Sequence, residues 1–116
     1  MKSITTQEFL SKGTTINGQW QHTSEKTLVV DFYADWCGGC KVIIPIMNEL
    51  SSEYSDIEFY KVNVEEEPEL CEMLKVKSLP TVIVFYKDSK QNITGVVSKN
   101  KLIDIIKNIT NTAVLA

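Results

Sequence analysis

The chain has no lysine- or arginine-rich block, no long apolar run and only one closely spaced cysteine pair. Each absence removes a class of function. A nucleic-acid surface needs a basic face, and a formal charge of −3 without a basic block provides none. The same lack excludes an anionic membrane as a partner. No stretch approaches the roughly 18 apolar residues of a membrane span, and the opening MKSITTQEFL has no apolar core of the kind a secretory signal carries. The expected compartment is therefore the cytoplasm. Repeats, low-complexity tracts and Pro/Gly linkers are missing too. The 116 residues read as a single domain, 1–116, because two would each be too small to bury a sound core. Hydrophobic residues at 43% and charged residues at 23% suit an ordinary globular protein.

Three cysteines are present: Cys37, Cys40 and Cys71. An odd count containing one tight pair does not make a disulfide framework. In a reducing compartment a close pair is more often catalytic or metal-binding than structural.

Hydrophobic patterning supplies the frame. TTQEFLSKG predicts a short helix capped by Thr5 or Thr6, anchored by Phe9 and Leu10 and stopped by Gly13. Residues 14–26 are polar and turn-rich around Asn17-Gly18, which predicts a loop or weak edge strand with Trp20 as an anchor. TLVVDFYA (27–34) reads as a strand buried on both faces. KVIIPIMNELSSEY (41–54) reads as a helix with apolar residues at 43, 46, 47, 50 and 54, kinked by Pro45. A strand over 57–64, a short helix over 68–76 opened by Pro68, and a strand over 81–87 follow. After a turn at 88–91 come a strand over 92–97 and a final helix. Ser98 caps that helix, and Leu102, Ile105, Ile106 and Ile109 form its stripe. The terminal AVLA is mildly apolar and suits packing, fraying or contact with a neighbour. The order β-α-β-α-β-β-α implies parallel neighbours joined by a right-handed crossover. A closing hairpin extends the sheet antiparallel, with helices on both faces.

Within this frame DFYADWCGGCKVIIP (31–45) sets two thiols three positions apart at a strand-to-helix junction. Such a pair can hold a metal, staple the chain or pass electrons. A closed zinc site usually needs a second pair of cysteines or a pair of histidines, whereas His22 is the only histidine and Cys71 is isolated. As a staple, so short a loop stabilises little compared with longer ones. Placed at the N-cap, Cys37 faces unpaired backbone N–H groups and the positive end of the helix dipole, which favour a thiolate. Cys40 follows one turn later on the same face. Gly38 and Gly39 leave the site open, Lys41 adds a positive charge, and Trp36 falls where the strand reaches the surface.

The chain resembles the thioredoxin family from about Leu28 to Ile109. The resemblance rests on LVVDFYADWCGGCK, YKVNVEEEPEL, SLPT ahead of a strand, and Gly95 ahead of the last helix. It implies an α/β thioredoxin fold, with one mixed central sheet of about four to five strands and helices on both faces. The core would be 28–109 and a variable N-terminal segment 1–27. It further implies that Cys37 is the attacking thiol and Cys40 the resolving thiol, joined reversibly as a redox disulfide. Asp31 matches the family's buried acid, Lys61 the lysine near it, and Pro80 a cis-proline beside the active site. Trp36, Gly38, Gly39, Ser78, Leu79, Pro80, Gly95 and Val96 would form the substrate groove.

The implied activity is protein-disulfide reduction. No cofactor or metal is expected to be bound, and electrons would come from a flavin- and NADPH-dependent thioredoxin reductase. Disulfide-containing proteins are the expected substrates and a monomer the expected state. A disulfide oxidase or isomerase on the same fold, or a non-catalytic partner-binding module, are the alternatives. Two features depart from the common family pattern. Gly39 stands where proline is usual, and the polar segment 11–27 lacks a match in many bacterial members. Cys71 has no counterpart in that pattern, and its default reading is a partly buried small apolar residue.

Overall fold

The computed structural model describes the backbone of residues 1–115 and the side chains of residues 1–110. The apolar AVLA terminus lies outside the described side chains. In chain order the elements are β1 (Lys2–Ser3), α1 (Thr6–Leu10), β2 (Gly13–Ile16), β3 (Gln19–His22), β4 (Thr27–Tyr33), α2 (Gly38–Glu53) and β5 (Ile57–Asn63). α3 (Pro68–Met73), β6 (Thr81–Tyr86), β7 (Ser89–Thr94) and α4 (Lys99–Leu115) complete the chain.

Five strands form one mixed sheet in the order β1-β5-β4-β6-β7, as expected. β4 is central. It pairs in parallel with β5 and antiparallel with β6, so its backbone is satisfied on both edges. That explains why TLVVDFY tolerates an almost continuous apolar run: every residue from Thr27 to Phe32 is buried.

Alternation along β4 divides the core into two layers. Leu28, Val30 and Phe32 pack with Phe9, Leu70, Leu74, Ile83 and Phe85 on the side of α1 and α3. Val29 packs with Ile43, Met47, Leu50, Val82, Val84, Leu102 and Ile106 on the side of α2 and α4. The stripes predicted for those two helices are thus the ones that cover the sheet, with Ile46, Tyr54, Ile105 and Ile109 half-buried at the margins. Pro45 lies inside α2 without ending it. The predicted caps form. Thr5 and Glu8 make a reciprocal capping box on α1, and Ser98 Oγ accepts from Lys101 N at 3.1 Å at the start of α4.

Several boundaries differ from expectation for local reasons. Of the two readings for the polar N-terminal segment, loop or weak edge strand, the strand is the one found. β2 and β3 form a separate two-stranded sheet closed by Asn17 and Gly18, both at positive φ, as a two-residue hairpin turn requires. Trp20 anchors it, donating Nε1–H to the Leu10 carbonyl at 3.1 Å and lying 4.4 Å from the Phe9 ring. β1 adds a short parallel edge to β5. β7 begins at Ser89 rather than 92, because the turn closes on Lys87 and Asp88, with Tyr86 opposite Ser89. It ends at Thr94, where Gly95 takes φ +86°. α3 stops at Met73, since Lys75 turns to φ +58°.

Candidate active site

The site forms where the C-terminal end of β4 meets the N-terminus of α2. Cys37 is the N-cap of α2, in an extended conformation, and its Sγ accepts the Cys40 backbone N–H at 3.2 Å. Cys37 and Cys40 are disulfide-bonded, with Cα atoms 5.3 Å apart. The two sulfurs are not equivalent. Cys37 is 6% exposed and Cys40 only 1%, enclosed with Ala34 against Tyr33, Val64 and Leu79. Cys37 is therefore the more accessible of the two sulfurs.

Three surfaces border the pair. Leu79-Pro80 is a cis peptide at the start of β6, as the resemblance implied. Gly95 N donates to the Pro80 carbonyl at 2.9 Å, which brings the Gly95-Val96 corner beside the proline. Gly39 fits closely under this corner: a β-carbon there would lie 3.0 Å from Val96 Cγ2 and 3.1 Å from Pro80 Cδ. Gly38 faces open space, and Ser78 is exposed, with its carbonyl accepting from Thr81 Oγ1 at 2.6 Å. Trp36 is 71% exposed. Its indole N–H donates to Glu65 Oε1 at 3.1 Å.

Glu65 is a site neighbour that sequence reading did not single out. Its signal is the parallel register. Tyr33 pairs with Asn63, so the residues just beyond each strand end emerge side by side. Asn63 Oδ1 then accepts the Glu65 backbone N–H at 2.9 Å and fixes the turn that presents Glu65.

Asp31 is wholly buried in β4, on the sheet face shared with Val29 and covered by α2 and α4. Neither carboxylate oxygen has a hydrogen-bond partner. Burial pushes its pKa up to about 7, with the Lys61 charge acting in the opposite direction. Lys61, its register partner on β5, is half-buried and holds Nζ 5.7 Å from the centre of the Tyr33 ring.

Two sequence features stay out of the site. Cys71 is a free thiol on the buried face of α3, 9% exposed and part of the core layer on that side of the sheet. Burial and the Glu67 carboxylate raise its pKa, the reverse of an activated thiol. His22 sits in the β2–β3 hairpin, with Nδ1 2.9 Å from the Lys87 carbonyl oxygen. Among the described residues no cluster of His, Cys, Asp and Glu could hold a metal ion. No described helix is long and apolar enough to cross a membrane.

Comparison with known proteins agrees with this geometry. The family model described as Thioredoxin matches residues 10–108. A chloroplastic M-type thioredoxin of Spinacia oleracea is 43% identical over 72% of this chain, which spans only 48% of that relative. The thioredoxin of Mycoplasma genitalium is 37% identical over 74% of this chain and 85% of its own. Mitochondrial thioredoxin 3 of Saccharomyces cerevisiae, crystallised in an oxidised form, superposes with a TM-score of 0.73 at 28% identity, covering 93% of each chain.

Proposed function

Since the chain belongs to the thioredoxin family, we propose that it is a protein-disulfide reductase working through the Cys37–Cys40 couple. One observation carries this reading: the pair caps a helix with unequal exposure, the outer sulfur accepting a backbone N–H and the inner one enclosed.

The cycle starts from the dithiol. Cys37, ionised at the helix N-terminus, attacks one sulfur of a target disulfide. The target S–S bond breaks, and the departing thiolate takes a proton from solvent. Cys40 gives its proton to Asp31, through a water, and attacks Cys37. The mixed disulfide breaks, and the second target sulfur leaves as a thiolate. Two electrons have then passed to the target, and the Cys37–Cys40 disulfide remains.

Asp31 suits the proton transfer because its pKa of about 7 lies at the working pH, where a general base is most effective. Lys61 tunes that acid from the neighbouring strand. The target segment lies over Trp36, Gly38, Gly39 and Val96. It pairs as an added strand with the backbone of Leu79, beside Ser78 and Pro80 ahead of β6, and passes Gly95. No bound cofactor takes part. A flavin- and NADPH-dependent reductase restores the dithiol, and the protein acts as a cytoplasmic, single-domain monomer.

The test is insulin-disulfide reduction by the wild type and by Cys37→Ser. Turnover by the wild type and none by the variant is expected; equal turnover by both would end the proposal.

A further inference from the structure

The fit of Gly39 under Val96 bears on what a target meets beside the sulfurs. Gly39 is the second residue of α2, and its φ lies outside the left-handed range. Its backbone therefore accepts any L-residue, and in a helix alanine ordinarily stabilises relative to glycine. What opposes a side chain is space. A β-carbon would approach both Val96 Cγ2 and Pro80 Cδ more closely than ordinary van der Waals contact allows. The adjacent Gly38 has nothing near its own β-position. Pro80 cannot retreat, because its ring is fixed to a backbone held by the Gly95 hydrogen bond. Val96 is β-branched and stiff at χ1, yet it is 54% exposed. An apolar side chain so exposed, seated against the gap over residue 39, takes the space that a side chain at 39 would fill.

We propose that Val96 and Gly39 are a size-matched pair. Val96 supplies the apolar wall beside the sulfurs against which a target segment packs, and together with Pro80 it crowds position 39 so that glycine fits best. Replacing Val96 by a smaller residue removes the closer of the two contacts, so alanine at position 39 then costs less, with Pro80 Cδ still opposing it. The pairing stands on packing alone; only its effect on target binding rests on the reductase reading above.

A double-mutant cycle in the oxidised protein tests the packing. With Val96 present, Gly39→Ala lowers Tm by about 4 °C. In Val96→Ala the same change lowers Tm less, because only the Pro80 contact remains. An equal shift in both backgrounds, or no lowering with Val96 present, overturns the pairing.

The target-binding arm uses insulin. Gly39→Pro raises KM about fivefold with a smaller change in kcat, and in the Val96→Ala background the same change raises KM less. Effects that simply multiply overturn Val96's role in the groove. If the wild type reduces no insulin at all, the reductase reading fails, while the Tm cycle still decides the pairing.

Discussion

Asp31 on β4 and Lys61 on β5 are register partners in the parallel ladder, yet the lysine does not neutralise the acid. The carboxylate is wholly buried with neither oxygen hydrogen-bonded, while the lysine is half-buried with its Nζ over the Tyr33 ring. Burial outweighs the charge of Lys61, and the carboxyl is held up at about 7. A buried carboxyl without a hydrogen-bond partner costs stability once it ionises.

The stability consequence has a definite sign. In the folded state Asp31 keeps its proton up to about pH 7, against an ordinary value of 3.8 when unfolded. The folded form therefore binds the extra proton across that window. Stability is greatest below the unfolded value and falls as pH rises through the folded one. Asp31→Asn should be more stable than wild type at pH 8, by a few kcal/mol, with the gain shrinking toward pH 4. Denaturant titrations of the oxidised proteins between those pH values measure it. The same variant should lose about tenfold or more in insulin turnover at pH 7.

Lys61→Met removes the one charge that lowers Asp31's pKa. Resolution of a mixed disulfide by Cys40 should then require a higher pH. Single-turnover rates against pH should show the midpoint moving up by a fraction of a unit. A midpoint that moved down would mean that Lys61 acts on something other than Asp31.

Cys71 should be silent. It packs with Leu70, Leu74 and Ile4 in the core layer, and both its burial and Glu67 disfavour the thiolate. The native oxidised protein should show no fast-reacting thiol and should release one on denaturation. Cys71→Ala should leave insulin reduction intact and cost about 1 kcal/mol of stability. Rapid labelling of Cys71 in the folded protein would contradict its placement.

Much of the frame was legible because burial wrote it into the residue pattern. The run TLVVDFY could only be a strand covered on both faces, and the Ile43, Met47, Leu50 spacing could only be one face of a helix. The N-terminal hairpin was less legible. Residues 13–16 and 19–22 are mostly exposed, so no apolar alternation marks them, and Asn17-Gly18 alone signals the turn. β1 spans two residues, too few for any pattern, and exists because β5 offers an edge. At the site, residue types and spacing pointed to the cysteine pair, and the family resemblance pointed to Asp31. Glu65's approach to Trp36 and Val96's approach to Gly39 depend on distant segments meeting, which no local pattern records.

The central claim is that Cys37 is an activated thiol at the mouth of α2 while Cys40 is sheltered. Alkylation of the fully reduced protein by iodoacetamide as a function of pH, with the labelled cysteine identified, tests it most directly. Cys37 should react first and rapidly, titrating well below the roughly 8.5 of a free cysteine, and Cys40 should stay protected. A slow Cys37 with ordinary acidity, or labelling that favours Cys40, would contradict the account.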